Sequence, residues 1–304
     1  MNAGHGEQKI TRDDQLGRID YKQEFGPPPM SFDEYAPSAS AAYARLISND
    51  PSEAVVQEFL EQNPSFVPGA WTPGGNSGHP PWNQFLVTQP VLPGLSTRRP
   101  DFMWIAQHSD TWFPTFIEIE SPTKRLFRAD GQPTSDFTQA RTQISEWKAW
   151  FEAPANAMKF ILVYGLSSQF VNRRMQPTFI LVLGRRAEFA DHGARTRVRA
   201  VLMGENEELI SFDRLLPAPQ LEDVVTVVSG RDGKWRARSV APTFGLVPPG
   251  ADRLLVLEGL EETIRRTEGI TGERAEFLSK RIAYWRTWAA RPNAPRVYGP
   301  WKRE

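Results

Sequence analysis

Cysteine is absent from the 304-residue chain, and no run of about eighteen apolar residues occurs. The first absence excludes disulfides, cysteine-ligated zinc and thiol catalysis, and it favours a reducing cytoplasm as the compartment. The second excludes a transmembrane helix. The polar start from Met1 to Arg18 also lacks the apolar stretch of a secretory signal. We therefore expect a cytoplasmic protein that makes no membrane contact.

Net charge is absent as well, because 36 Lys and Arg residues balance 36 Asp and Glu residues. No overall field attracts the chain to nucleic acid, so any DNA contact must rest on a local basic cluster. No nucleotide-cofactor motif is evident. At 40% hydrophobic residues, the chain is long enough to bury one large core or two modest ones.

The chain divides into three predicted segments. Residues 1–48 are predicted to be a flexible, largely irregular N-terminal arm, because Gly26-Pro27-Pro28-Pro29 and few spaced apolar residues disfavour packed structure. Residues 49–218 are predicted to form an α/β domain. Residues 219–304 are predicted to be a C-terminal extension, whose elements are a strand at 224–228 and helices at about 252–268 and 272–289.

Apolar spacing predicts the secondary structure of the central domain. A short helix begins near Ser52 and ends at Asn63-Pro64, and a longer helix begins at Ser135. Apolar runs of strand length predict five strands, at 85–91, 101–106, 113–119, 159–164 and 178–183. The predicted order is therefore α-β-β-β-α-β, followed by one more strand.

Three acids fall at neighbouring strand ends. Asp101 opens one predicted strand, and Glu118 and Glu120 end the next, on one face because side chains alternate along a strand. Any one of them alone fits a turn or a polar strand end. Together, buried carboxylates would repel one another unless a hard divalent cation lies between them. Mg²⁺ prefers carboxylate oxygens and activates water, which suits phosphodiester hydrolysis.

The same residues carry a family resemblance. Pro100-Asp101, then Ile117-Glu118-Ile119-Glu120-Ser121-Pro122, then Gln143-Ile144 followed by Trp147, resemble the nuclease domain of the Shedu anti-phage family. The likeness covers roughly residues 50 to 216. It implies a PD-(D/E)XK restriction-endonuclease-like core with a mixed central sheet. It further implies a homo-oligomeric, Mg²⁺-dependent DNA endonuclease acting in anti-phage defence, with Mn²⁺ as an alternative cation.

The resemblance also implies roles for individual residues. Asp101, Glu118 and the backbone carbonyl of Ile119 would hold the metal ion. Glu120 stands where the superfamily has a lysine, so it would act as a second metal ligand or general base. Lys124 would supply a compensating ammonium beside it.

Further residues would surround this metal site. Gln143 would position water or a phosphate, and Glu53 or Glu58 would add an outer carboxylate. Phosphate contacts are predicted for the nearby basic residues, which are Lys124, Arg125, Arg128, Arg141 and Lys148.

Two other functions fit the same pattern. Loss of the motif lysine is compatible with a catalytically inactive sensor that binds DNA or a phage component. Alternatively, the acids only form salt bridges in a scaffold protein, and the basic run from Lys124 to Arg128 is a solvated loop. The apolar stripe of the helix at 272–289 is expected in a core or at a subunit interface. Its members are Phe277, Leu278, Ile282, Trp285 and Trp288.

Overall fold

The computed structural model describes residues 21–73, 75, 79–95, 99–166, 168–189, 193–229, 234–292, 294, 297, 303 and 304. The strands of this part of the chain are β1 (Phe85–Thr88), β2 (Phe102–Gln107), β3 (Thr111–Ile119), β4 (Arg174–Met175), β5 (Thr178–Val182), β6 (Glu207–Ile210), β7 (Val225–Ser229), β8 (Trp235–Val240) and β9 (Leu257–Glu258).

These strands form one mixed sheet. Its order is β6-β5-β3-β2-β1-β7-β8-β9, and the short β4 pairs with β3 beside this path. β1, β2 and β3 form an antiparallel meander, whereas β3, β5 and β6 run parallel. β1 is also parallel to β7, which pairs antiparallel with β8. The predicted α/β class with a mixed central sheet is confirmed.

Helices cover the sheet on both sides. Those in the described residues are α1 (Phe32–Ser48), α2 (Glu53–Gln62), α3 (Ser135–Glu152), α4 (Pro154–Val163), α5 (Ser168–Val171), α6 (Gly193–Val201), α7 (Leu260–Arg266) and α8 (Gly272–Ala289). No helix among the described residues has the length and apolar character needed to span a membrane.

Strand β3 divides the core into two layers because its side chains alternate between the faces of the sheet. Phe116 belongs to the cluster that contains Trp147 of α3. Ile117 and Ile119 belong to the opposite cluster, with α1 and α2. Residues that share a face with Phe116, including Glu118, are therefore directed toward α3.

The prediction of an irregular N-terminal arm is wrong for residues 32–48, because these residues form α1. Ser31 begins this helix by accepting from the backbone N–H of Glu34, whose side chain bonds back to the backbone N–H of Ser31. Tyr35 and Tyr43 follow at four-residue multiples and are buried. The Ser31–Glu34 capping signal was available in the sequence, but Pro37 inside the helix disfavours a helical prediction. Residues 1–20 lie outside the described part of the chain.

The predicted strand at 159–164 is wrong, because these residues fall in and just after α4. Pro154 begins this helix at its first turn, a position where its missing N–H costs nothing. Phe160, Ile161 and Tyr164 are buried at helical spacing, whereas Leu162 is 71% exposed. A short apolar run fits either element, so only this one-sided burial separates them.

The C-terminal extension contributes strands to the same sheet, since β7 lies beside β1. The predicted helix at 272–289 is confirmed as α8. The predicted helix at 252–268 is replaced by the 3₁₀ helix Pro248–Leu255, by β9 and by the short α7.

The apolar stripe of α8 packs inside its own chain. Leu278, Ile282, Trp285 and Trp288 are buried in the core. Of the two alternatives expected for this stripe, the structure therefore bears out the core for these four side chains and not the subunit interface, because they are already covered. The predicted homo-oligomer itself stays a prediction.

Replacing Tyr43 by Phe tests the docking of α1 onto the domain. The Tyr43 hydroxyl donates to the backbone carbonyl of Phe212 over 3.0 Å in a buried position. Tyr43→Phe removes this bond and leaves the carbonyl only its bond from the backbone N–H of Leu215, so the free energy of unfolding should fall by about 1 kcal/mol. Urea denaturation measures the loss. The exposed Ser38→Ala change on the same helix should cost nothing, and equal stability of both variants would contradict the docking.

Candidate active site

Asp101 lies immediately before β2, and a backbone donor from β3 holds its carboxylate. The side chain is buried, and Oδ2 accepts from the backbone N–H of Ile119 over 2.8 Å. The backbone N–H of Asp101 donates to Ile117 over 3.1 Å, which extends the β2–β3 pairing by one residue. The carboxylate therefore has a fixed position at the end of both strands.

Glu118 lies within hydrogen-bonding distance of both Asp101 and Gln143. Its side chain forms a hydrogen bond with Asp101, and it accepts another from the Gln143 amide on α3. Among the described residues, Glu118 Oε2 is a buried acceptor without a hydrogen-bond partner. Three predicted site residues therefore converge here, with one acceptor unused.

Burial sets the protonation of this pair. It raises the pKa of Asp101 to about 7, although the Ile119 bond opposes the rise, and the charges of Glu53 and Glu120 add to it. Burial also raises the pKa of Glu118 well above its usual range, and the charge of Asp101 increases the effect. Two buried carboxyls this close together are therefore costly to ionise unless a positive charge compensates them.

Glu120 ends β3 and forms an ion pair with Lys124. Its backbone N–H donates to Val182 of β5 over 3.0 Å, and its carboxylate contacts the Lys124 ammonium. Asp136 lies 3.9 Å from the same ammonium. Burial lowers the pKa of Lys124, but the bond to Glu120 and the nearby acids outweigh burial and raise it overall. The predicted ammonium beside position 120 is thus present, with Asp136 as an additional acid.

One of the two acids predicted from the first helix lies near this group. Glu53 begins α2 and is half-buried; burial raises its pKa, the charge of Glu120 raises it further, and Lys124 lowers it. A bond from Ser121 Oγ to the carbonyl of Pro51, 3.1 Å long, holds this end of α2 against the end of β3. Glu58 is exposed, and its carboxylate accepts from Gln62.

The predicted basic residues separate into two groups. Lys124, Arg125 and Arg128 line an open groove of about 660 Å³ that begins beside the acids. Arg125 and Arg128 are exposed, and Arg128 has a surface ion pair with Asp130 over 3.1 Å. These side chains are therefore accessible to a phosphate backbone.

Arg141 and Lys148 have a different partner. Lys148 Nζ lies 2.8 Å from Glu207 and Arg141 lies 3.6 Å from it, at the start of β6. The Glu207 side chain is only 2% exposed, so the two cations compensate a buried charge. A DNA contact by either residue stays a prediction that would require weakening this pair.

The donor set of the site suits a hard cation with few protein ligands. Within the described residues, no group of three or more His, Cys, Asp or Glu side chains is arranged to hold a metal ion. Lys124 engages Glu120, which leaves the carboxylates of Asp101 and Glu118. Mg²⁺ commonly uses one or two carboxylates and keeps several waters. A cation would also satisfy Glu118 Oε2, which lacks a donor.

Asp101→Asn should stabilise the protein when divalent ions are removed. An acid whose pKa is raised on folding contributes stability below its unfolded value, near 3.8, and loses that stability as pH rises through about 7. At pH 8 in EDTA the wild type therefore carries the cost of buried charge, and Asp101→Asn should melt at a higher temperature. Asp213→Asn is the control and should melt lower, because Asp213 pairs with Arg185 over 3.0 Å. A lower melting temperature for both variants would contradict the account.

Comparison with known proteins identifies the family of the chain. No curated protein matches it. The family description that does match is that of the Shedu protein SduA, C-terminal, over residues 50–216, which is more than half of the chain. The matched region contains β1 to β6 and every residue of the candidate site described above. The chain therefore belongs to the Shedu family.

Proposed function

We propose that the protein is a Mg²⁺-dependent DNA endonuclease that nicks or cuts phosphodiester bonds in anti-phage defence. Membership of the Shedu family supports the defence role. The observation that carries the nuclease role is the buried Asp101–Glu118 pair, in which burial raises both pKa values and Glu118 Oε2 has no hydrogen-bond donor among the described residues. Mn²⁺ would substitute for Mg²⁺ in such an oxygen-rich site.

Each residue of the site has a specific task in this proposal. Asp101, Glu118 and the backbone carbonyl of Ile119 would hold the cation, and the bond from Ile119 N–H keeps Asp101 in place. When bound, the cation would lower the pKa of a coordinated water and offset charge on the phosphate. Gln143 bonds the Glu118 carboxyl and would position water or a phosphate oxygen beside it.

Lys124 supplies the positive charge that residue 120 lacks. Its ammonium contacts the carboxylate of Glu120, the residue that stands where the resemblance expects a lysine. The side chain is one-third exposed, which allows the ammonium to contact a phosphate as well. Glu120 then holds the lysine in position and remains a candidate second ligand or general base.

DNA is the proposed substrate because exposed cations continue from the site. Arg125 and Arg128 line the groove next to Lys124, so a strand whose phosphate lies at the acids would place neighbouring phosphates against them. These three residues are stronger candidates than Arg141 and Lys148, which pair with Glu207. A homo-oligomer in the cytoplasm is part of the same proposal.

One observation favours the inactive sensor as the alternative. The ion pair with Glu120 neutralises the Lys124 ammonium, and Asp136 adds a second negative charge near it. A cation compensated in this way would contribute less to a negatively charged transition state than a free lysine. The sensor would bind DNA through Arg125 and Arg128 without cutting it.

Plasmid cleavage tests the nuclease directly. The purified protein should convert supercoiled plasmid to nicked or linear product with Mg²⁺ but not with EDTA. Asp101→Asn and Glu118→Gln should each slow cleavage by about 100-fold or more, since a metal ion contributes several kcal/mol of charge stabilisation. Glu276→Gln, at an exposed acid paired with Lys280 away from the site, should leave the rate unchanged. DNA binding without product at any divalent cation would favour the sensor.

Exchanging the charges of Glu120 and Lys124 tests the role of the ammonium. Lys124→Ala should slow cleavage by about 100-fold, the typical effect of removing one charge-stabilising group. The double change Glu120→Lys with Lys124→Glu restores the ion pair and should recover most of the activity. Lys280→Ala removes a surface lysine with the same four-residue spacing to Glu276 and should have no effect. Full activity of Lys124→Ala would exclude the proposed role.

A further inference from the structure

A second concave site lies away from the acids, on the opposite face of the sheet. It is an open groove of about 700 Å³, bounded by α1, α2, β8 and α7. None of the candidate active-site residues lines it. Its volume falls within the range of small-ligand sites, about 300 to 1,000 Å³.

One wall of this groove carries two ordered arginines. Arg238 Nε donates to Glu61 over 3.0 Å, and the Arg238 side chain remains 60% exposed. Arg266 donates from one terminal nitrogen to the backbone carbonyl of Arg238 over 2.8 Å and to Thr263 over 3.2 Å. These bonds fix the direction of each guanidinium while using only part of its five donors. Planar donors held in this way suit a phosphate group.

The facing wall presents apolar side chains among polar ones. Met30 precedes α1, Ala39 and Ala42 lie in α1, and Phe59 lies in α2; the polar residues beside them are Ser38, Gln62 and Asn63. Phe59 is only partly buried, and Tyr43 and Phe66 hold its ring at centroid distances of 5.4 Å and 5.5 Å. The exposed part of this held ring offers a surface for a flat ligand.

A glycine shapes one end of the groove. Gly269 has a φ of +87°, and a Cβ placed there would lie 2.9 Å from Cβ of Pro242. Only glycine therefore allows the chain that follows α7 to pass this close to Pro242. The groove is built from four separate segments of the chain, which is why no local sequence motif predicts it.

We propose that this groove binds a nucleotide. The flat base lies against the wall formed by Met30, Ala39, Ala42 and Phe59, and the phosphate receives hydrogen bonds from Arg238 and Arg266. An inorganic anion would leave these apolar side chains uncovered, and a nucleoside would leave the donors of Arg266, and those that Arg238 does not use on Glu61, without a phosphate. Because the groove is separate from the acid pair, the proposal does not depend on nuclease activity.

Isothermal titration calorimetry in EDTA, which removes any cation-dependent binding at the acids, tests the proposal. The probes are ADP, adenosine and inorganic phosphate, each added to the full chain. ADP should bind at least about tenfold more tightly than either of the other two, because a charge-assisted hydrogen bond contributes enough for that factor. Failure of ADP to bind at millimolar concentration would overturn the proposal, as would equal affinity for ADP and phosphate.

Two variants locate the binding. Arg266→Ala should weaken ADP binding by about tenfold or more, whereas Arg265→Ala, at an exposed neighbour outside the groove lining, should not. Ala42→Phe fills the groove without removing a charge and should also reduce ADP binding. Melting temperatures equal to the wild type show that each variant is folded. ADP binding that survives both Arg266→Ala and Ala42→Phe would place the ligand elsewhere and refute the proposed site.

Discussion

The structure depends on how buried carboxylates are compensated, and in the described part of the chain the Asp101–Glu118 pair has no side-chain cation to compensate it. Elsewhere in the described residues, Glu207 pairs with Lys148 over 2.8 Å and Glu304 pairs with Arg274 over 2.7 Å. Asp101 instead accepts from the backbone N–H of Ile119, and Glu118 accepts from the Gln143 amide. The two carboxyls also form a hydrogen bond with each other. A buried charge without a cationic partner is costly and is retained where a function requires it. A divalent cation would supply the missing charge.

The sheet brings these acids together because strand alternation and strand register act jointly. Pairing of Phe102 with Ile117 places Asp101 beside the end of β3, where its carboxylate reaches Ile119 N–H. Glu118 then points toward α3, where Gln143 donates a hydrogen bond to it.

On the other face of the sheet, Glu61 connects the C-terminal extension to the domain. Its carboxylate accepts hydrogen bonds from Arg238 of β8 over 3.0 Å and from Thr88 of β1 over 2.7 Å. Its backbone carbonyl accepts from the Thr226 hydroxyl of β7.

The site could be predicted from sequence largely because its residues are close to strand ends. The alternation of Glu118 and Glu120, the four-residue step from Glu120 to Lys124 and the helical position of Gln143 are all local patterns. The ion pairs of Arg141 and Lys148 were not predictable, because Glu207 lies about sixty residues away and only the packing of α3 against β6 brings it near. In the same way, the end of α4 reads as a strand, since the continuous apolar run from Phe160 to Tyr164 carries no periodicity that distinguishes the two elements.

Anomalous diffraction from crystals soaked in Mn²⁺ tests most directly whether Asp101 and Glu118 bind a divalent cation. The account predicts a manganese peak within coordination distance of both Asp101 and Glu118. It also predicts that the hydrogen bond between the two carboxyls is lost, because both carboxylates then face the cation. Crystals that bind no manganese there, with the carboxyls still bonded to each other, would contradict it.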